Sequence, residues 1–436
     1  MASAAGTPAK EAADEADAAA LQRRRAVQVN TICAHMGLNV ANLCVVLTAR
    51  PVLLGGVSGL STAAAAQMLA LFSSGTGLVE FLMNPIAGKL SDAMGRRAFL
   101  LQAPAVSCLT KLLVLVRPSQ LSIALERIFS GACTTIGGST ACSSSLADII
   151  DDPAELGRAY ASLGVATGLG VVLGPIIGAF AIGRFGNPRR AFAAGAALSA
   201  LQLALVSGSL EETLAPSLRR PLGSSKEILT AINPLSVLSL FTNGRVVATL
   251  VSTAAIQCFC EGKSLSDTNT YYLLNEAKFS DARRSVYISS FGFVMTLAGV
   301  IGRKTIQNLG MRGHTTLQNI MSAIGFSITG SSVSPQGIFG ALVFYAFAME
   351  RRAAVTGLAV KAAASAGMGK GEFAAAFANL RALAVGLAPL LFARAYASGL
   401  ASQPKSPGRP YYAAALFALL AELLHRTLGS KELEFK

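Results

Sequence analysis

The chain of 436 residues contains no tryptophan, only three histidines and few charged side chains. Charged residues make up 14% of it, against about 25% in soluble domains, which excludes an ordinary water-soluble fold. The seven cysteines lack the paired spacing that structural zinc sites need. Without tryptophan, any aromatic belt at a membrane surface must use tyrosine and phenylalanine. We expect neither a metal nor a cofactor.

Apolar residues dominate instead. They make up 52% of the chain, with a mean hydropathy of +0.52, and they form runs of about 20 residues, the length that crosses a bilayer. The net charge of +14 comes from short stretches between these runs, which is typical of membrane topology rather than nucleic-acid binding. The sequence predicts a multi-pass, all-α membrane protein with about twelve transmembrane helices. No phosphate-binding loop or catalytic set is visible, so we expect no enzyme.

Polar stretches divide the chain. Arg23, Arg24 and Arg25 precede the first apolar run and favour a cytoplasmic N-terminus, although they do not indicate which membrane holds the protein. The longest polar break inside the chain begins at Glu211. We therefore expect a disordered cytoplasmic tail (1–27), a six-helix bundle (28–210), a cytoplasmic linker (211–233), a second six-helix bundle (234–428) and a cytoplasmic C-terminal tail (429–436).

The two predicted bundles carry an internal repeat. Gly95 corresponds to Gly310 (310 − 95 = 215), and Pro175 corresponds to Pro389 (389 − 175 = 214). Gly157 and Gly371 give the same spacing (371 − 157 = 214). A near-constant offset at separate features indicates two parallel copies of one six-helix unit.

Two motifs resemble those of the major facilitator superfamily, and in particular its tetracycline-efflux-type proton antiporters. The first is the charged turn between the second and third spans, with Gly88, Asp92, Gly95, Arg96 and Arg97. The second is the glycine-rich fifth span, with Gly170, Gly174, Pro175 and Gly178; residues 380–392 are also similar to an eleventh span of this type. The resemblance implies two bundles that move about a central site, and proton-coupled transport, with antiport favoured.

The resemblance also implies a gate at the charged turn, where Asp92 belongs to a charge network with Arg96 and Asp148 that holds one closed state. The alternative is that Asp92 only caps the turn. The copy in the second half has Gln307 at the position of Asp92, so we expect a weaker clamp there.

Ionisable groups within spans are costly in lipid, so they indicate a cavity or a partner. The predicted substrate or proton cavity comprises His35, Asn39, Glu80, Arg127, Glu261, Arg351 and Arg352. Two alternatives stay open. His35 could be proton-responsive or a satisfied core histidine, and the arginine pair could attract an anion or form ion pairs with Glu80, Glu261 or Asp267.

The preferred function is secondary active transport of a small organic solute by alternating access, driven by protons. The arginines favour an anionic or zwitterionic solute. Efflux-type relatives carry an acid in the first span, and its absence around His35 argues against a cationic drug. The alternative is a transporter-like sensor or scaffold that binds a ligand without moving it. We expect a monomer whose partners are its solute, protons and the bilayer, with no nucleic acid.

Overall fold

The computed structural model describes residues 8–150, 152–219 and 237–433, and these residues form helices and no strand. The helices are α1 (Pro8–Cys44, continued by Ala49–Ser58), α2 (Thr62–Met94), α3 (Arg96–Val116), α4 (120–149), α5 (Pro153–Phe185), α6 (Arg189–Ser209), α7 (Arg245–Phe259 and Gly262–Asn275), α8 and α9 (281–309 and 311–331), α10 (Pro335–Ala346 and Arg351–Ser365), α11 (Lys370–Ala401) and α12 (Arg409–Arg426). Short turns lie at Pro216–Leu218, Ser239–Thr242 and Ser430–Leu433.

Four of these helices are irregular, and they are the first and fourth helix of each half. A turn at 45–48 interrupts α1, and two π-helical turns, Glu126–Ser130 and Ile136–Thr140, interrupt α4. In the second half, α7 breaks at 260–261 and α10 at 347–350. A membrane protein tolerates such breaks only where they are buried in protein or line a cavity. The breaks therefore mark the inner helices of the molecule.

Seven stretches of the described chain are long and apolar enough to cross a membrane by themselves, and one of them contains both α8 and α9. Three of the four interrupted helices, α4, α7 and α10, are not among them, and neither is α12. The chain therefore crosses the membrane several times, and the predicted all-α class is confirmed.

The helices pack as two halves, and the longest contacts between them lie along two pairs of helices. Within the first half, α1 packs along α5 and α3 along α6. Between the halves, α2 packs along α11, and α5 along α8. At the α2–α11 contact a Cβ added to Gly77 would lie 2.4 Å from the Cα of Gly386, so this approach requires glycine.

One predicted boundary differs from the structure, and another lies mostly outside the described residues. Residues 8–27, expected to be disordered, belong to α1, because their alanine-rich composition has high helix propensity and the helix continues directly into the first span. The linker is described only up to Arg219, and most of it, with the start of the second bundle at 234–236, lies outside the described residues. Of the C-terminal tail, residues 430–433 form a short turn.

The predicted repeat agrees with the backbone. Gly95 ends α2 with a φ of 100°, and Gly310 separates α8 from α9 with a φ of 67°. Both angles lie in the left-handed region that favours glycine. The two halves therefore turn at equivalent points in the same way.

Candidate functional site

The charged turn between α2 and α3 is held by a residue outside the motif. The carboxylate of Glu212 accepts hydrogen bonds from the backbone N–H groups of Arg96 (2.8 Å) and Arg97 (3.3 Å), at the N-terminus of α3. A Cβ on Gly95 would lie 2.2 Å from Oε2 of Glu212. A negative charge at this position also complements the positive end of the helix dipole. Glycine at residue 95 therefore makes room for the anion that caps α3.

We call the side of the membrane with this turn the motif side, and the opposite side the far side.

The predicted gate residues lie together at this turn. The guanidinium of Arg96 contacts Asp92 at 2.7 Å and Asp148 at 2.9 Å, so it joins α2, α3 and α4. Arg97 points elsewhere and donates to the backbone carbonyl of Ser207 at 2.7 Å. Asp92 is thus part of an ionic network within the first half; its role as a gate stays a prediction.

The first half also buries a group of three charges, which we call the sealed cluster: Arg50, Lys111 and Glu126. Arg50 donates to both carboxylate oxygens of Glu126 at 3.0 and 3.2 Å, and the Nζ of Lys111 lies 3.5 Å from Glu126. The side chains of Arg50 and Glu126 are 1% exposed, and that of Lys111 is 0% exposed. Two cations thus share one anion without access to water.

The residue that follows Glu126 contacts the other half. Arg127 on α4 forms an ion pair with Asp267 on α7 at 3.1 Å, and its Nε donates to Ser73 on α2 at 2.9 Å. Ser73 also donates to Asp267. Although they are adjacent in the chain, Glu126 and Arg127 thus face different partners. We call Arg127 and Asp267 the inter-half pair.

A third group of charges lies at the break in α7. The carboxylate of Glu261 accepts hydrogen bonds from Arg381 on α11 at 2.8 and 3.0 Å, and the Nη1 of Arg352 on α10 lies 3.0 Å away. We call these three residues the open cluster, because the side chains of Arg352 and Arg381 are 33% and 40% exposed. Arg381 precedes Ala382, whose carbonyl lies at the α2–α11 contact. The cluster therefore lies near the boundary between the halves, at the middle of α7, α10 and α11.

Arg351 differs from the expected cavity arginine. It is buried and donates to the backbone carbonyls of Ala348 (2.8 Å) and Cys260, and to the hydroxyl of Ser322 (3.1 Å). These carbonyls are freed by the breaks in α7 and α10. Arg351 thus bridges the two broken helices, whereas its neighbour Arg352 pairs with Glu261. Of the partners that the sequence left open for the arginine pair, Glu261 is the one that the structure places there.

Comparison with known families identifies the fold. The model of the Major Facilitator Superfamily matches residues 31–389. The chain belongs to the major facilitator superfamily. It is therefore an integral, multi-pass membrane protein of a family of secondary transporters, with two six-helix bundles, as the sequence predicts.

Individual members of the superfamily match in part. Bovine major facilitator superfamily domain-containing protein 10 is 32% identical over 110 residues, 25% of this chain and 24% of that protein. The class B tetracycline resistance protein of Escherichia coli is 33% identical over 114 residues, 26% of this chain and 27% of that protein. The chain thus spans about a quarter of the length of these relatives. The crystal structure of the human organic anion transporter MFSD10 has the same fold, with a TM-score of 0.67 and 19% sequence identity. The match covers 92% of this chain and 99% of that chain.

Three further predicted cavity residues have hydrogen-bond partners in the first half. The two ring nitrogens of His35 contact the carbonyl of Gly137 (3.2 Å) and the amide nitrogen of Gln202 (3.1 Å). Asn39 donates to the carbonyl of Thr134, and Glu80 accepts from the hydroxyl of Thr135 at 2.7 Å. The contacts of His35 are those of a satisfied core histidine, the alternative that the sequence left open. A role for these residues in transport stays a prediction.

The glycine-rich motif of α5 lies against α1. A Cβ on Gly170, Gly174 or Gly178 would lie 2.1–2.6 Å from a backbone carbonyl oxygen of α1. Pro175 lies inside the continuous helix. Because glycine has no side chain, the two backbones can pack this closely. The motif thus has a packing role within the first half, and its link to antiport is untested.

The predicted site residues do not include Arg50, Lys111 and Glu212, three charged residues of these networks. Lys111 stands alone among the apolar residues of the third span, and a lone ionisable group in a span is a signal for a buried partner. Arg50 stands at the end of the first predicted span and Glu212 in the polar linker, where basic and acidic residues are common. Only the structure distinguishes them from loop residues.

Proposed function

We propose that this chain transports a small organic anion by alternating access, with protons as the coupling ion. The observation that carries the proposal is the open cluster, in which Arg352 and Arg381 flank a single carboxylate, Glu261. Guanidinium groups recognise planar anions through paired hydrogen bonds. Exposed guanidinium surface at mid-membrane depth is costly in lipid, which supports a water-filled path to it.

Alternating access also needs contacts between the halves that can break. Such contacts include the inter-half pair, the hydrogen bond from Tyr271 to the carbonyl of Pro51 (3.5 Å), and that from Ser289 to the carbonyl of Val172 (2.8 Å). In all three contacts, the residues lie between the middle of their helices and the far-side ends. They support an arrangement that is closed on the far side and that opens when these contacts separate.

The superfamily likeness is consistent with the charge of the site. The human protein with the same fold is named as an organic anion transporter, but its low identity shows the fold alone. The efflux-type motif of α5 favours antiport of protons. The direction in which protons move relative to the solute is therefore the part of the proposal that most needs a direct measurement.

The proposal is tested by flux into liposomes that contain the purified protein. The probes are benzenesulfonate, hippurate and glutarate, together with phenyltrimethylammonium, a cation of similar size to benzenesulfonate. We expect uptake of at least one anion that responds to an imposed pH gradient, and no uptake of the cation. Uptake of the cation alone would refute the anion class, and anion uptake that ignores the pH gradient would refute proton coupling. Binding without flux would support the sensor or scaffold alternative.

A matched pair of variants on α11 tests the site. Arg381→Gln removes a guanidinium of the open cluster, and Arg394→Gln makes the same change at an exposed residue of the same helix. Because a hydrogen bond to a charged group contributes about 1.5–3 kcal/mol, Arg381→Gln should reduce anion uptake about tenfold or more. Arg394→Gln should leave uptake near the wild-type level. Equal uptake by both variants would place the anion elsewhere.

A further inference from the structure

The open cluster already contains one anion, the carboxylate of Glu261. Its two oxygens face the Nε and Nη2 of Arg381, in the paired geometry that an external carboxylate would adopt. Arg352 contacts the same carboxylate from the other side at 3.0 Å. The internal carboxylate therefore occupies the hydrogen-bond donors that an anionic solute would use.

The backbone leaves this carboxylate able to move. Glu261 lies in the break of α7, where its φ of −66° and ψ of 145° are extended rather than helical. It is followed by Gly262, which begins the second part of the helix. The carbonyl of Glu261 accepts a hydrogen bond from the N–H of Ser264, and the side chain can change rotamer without breaking this backbone bond. The neighbouring Arg351 instead fixes the ends of the break by binding the carbonyl of Cys260.

Several charged or titratable groups surround Glu261. They are Arg351 and Arg352 on α10, Arg381 on α11 and Cys258 on α7, while Glu80 on α2 is within electrostatic range of Arg381. The arginines outnumber the carboxylates in this group. A carboxylate that left Arg352 and Arg381 would move to a less favourable place for a negative charge, because burial without a partner penalises the charged form.

We propose that Glu261 is an exchangeable counterion, which an anionic solute displaces from Arg352 and Arg381 and which then takes up a proton. This inference rests on the proposed function. Before exchange, the arginines hold the carboxylate of Glu261, and the anion and the proton are in water. After exchange, the arginines hold the anion, and the proton is bound to a carboxyl oxygen of Glu261. One O–H bond forms, and the cluster gains no net charge from a singly charged anion and one proton.

The exchange sets the direction of coupling. Because the anion and the proton bind together, they cross the membrane in the same direction as one neutral pair. The glycine-rich motif of α5 predicts the opposite arrangement, antiport. Whether protons move with the anion or against it therefore decides which feature indicates the mechanism, the open cluster or the α5 motif.

The experiment measures how benzenesulfonate stabilises the purified full-length protein against heat, at acidic and at mildly alkaline pH. Benzenesulfonate keeps its charge at both values, so any pH dependence belongs to the protein. A ligand that binds the folded state raises its stability by mass action. For the wild type we expect a larger shift at acidic pH, and uptake of about one proton per anion bound in weakly buffered solution. Hippurate and glutarate repeat the measurement, with allowance for their own titration.

Two variants separate the possible outcomes. Glu261→Gln removes the internal competitor, so stabilisation by the anion should lose its pH dependence. At alkaline pH, the anion concentration needed for a given thermal shift should fall about tenfold. Glu422→Gln is the control, because Glu422 is a buried carboxylate of α12 that pairs with Arg426 at 2.7 Å, outside the open cluster. This control should keep the wild-type pH dependence.

The outcomes distinguish the inference from the function on which it rests. Anion binding without proton uptake, or unchanged pH dependence in Glu261→Gln, would overturn the exchange and leave the anion site standing. If none of the three anions stabilises the wild type or Glu261→Gln, the anion class fails as well. The wild-type proton measurement needs no variant, so it decides the question even if Glu261→Gln does not fold.

Discussion

Each half of the molecule holds one glutamate between two basic side chains, and the two clusters differ in their access to water. In the sealed cluster, Glu126 lies between Arg50 and Lys111 inside the first half, and all three are buried. In the open cluster, Glu261 lies between two arginines that are partly exposed. The composition of charge is the same, so the difference in hydration decides what each cluster can do.

Burial makes the two clusters suited to different tasks. A buried charge that loses its partner pays a large desolvation penalty, so the sealed cluster is committed to its present pairing. Partly hydrated arginines can exchange one anion for another at a smaller cost, because water replaces part of the lost interaction. The sealed cluster is therefore expected to hold the first half together, whereas the open cluster is expected to bind solute.

The largest effect should follow removal of the charge of Glu126. Glu126→Gln leaves Arg50 and Lys111 buried without an anion, and breaking a buried pair in this way costs about 3–5 kcal/mol. Glu261→Gln is the matched change in the open cluster, where hydration should limit the loss to about 1 kcal/mol. The measurement is the thermal unfolding midpoint and the yield of monodisperse protein in detergent. Equal losses in the two variants would contradict the distinction between the clusters.

A smaller effect is expected at the inter-half pair, which joins the two halves rather than filling either one. Asp267→Asn removes the ion pair with Arg127 and should favour opening on the far side. The equilibrium between the closed and the open conformation should shift about tenfold, or about 1.4 kcal/mol, towards the open one. Spin labels at Ser58 and Lys278, on far-side ends of the two halves, would report the distance, after the native cysteines are replaced by serine. The matched variant Asp281→Asn alters a pair confined to the second half, that with Arg284, and should leave the distance unchanged. An unchanged distance in Asp267→Asn would mean that the pair does not lock the far side.

The sequence predicts the fold better than it predicts these clusters. Runs of about 20 apolar residues indicate the spans, because lipid requires every backbone polar group to be satisfied within a helix. The near-constant offset between repeated features such as Gly95 and Gly310 indicates the two halves. The breaks at 260–261 and 347–350 lie beside the charged residues Glu261 and Glu350, but a charge within a span does not by itself indicate where the helix is interrupted.

Those breaks explain why the pairings were harder to predict. Glu261 and Arg351 both stand out in the sequence as charges within spans. Their partners depend on how the broken helices are turned, which directs Arg351 to backbone carbonyls and Arg352 to the carboxylate. The network of Asp92, Arg96 and Asp148 was predictable because Asp92 and Arg96 belong to a superfamily motif, whereas Glu212 reaches the same turn from a polar segment with no motif.

Glu212 provides the smallest test, since it places a carboxylate at the edge of the first half rather than within it. Glu212→Gln keeps one acceptor oxygen for the N–H of Arg96 but removes the charge at the N-terminus of α3. The loss of a favourable helix-dipole interaction should lower stability by about 0.3–1 kcal/mol. Glu211→Gln is the control, because Glu211 has its described hydrogen bond through its backbone N–H, to Gln28. The two thermal midpoints should differ by a few degrees at most, well below the gap between Glu126→Gln and Glu261→Gln. Glu212→Gln would contradict this ranking only if it destabilised the protein as strongly as Glu126→Gln. The cost of removing a carboxylate charge would then not depend on its exposure, and the contrast between the sealed and open clusters would need another cause.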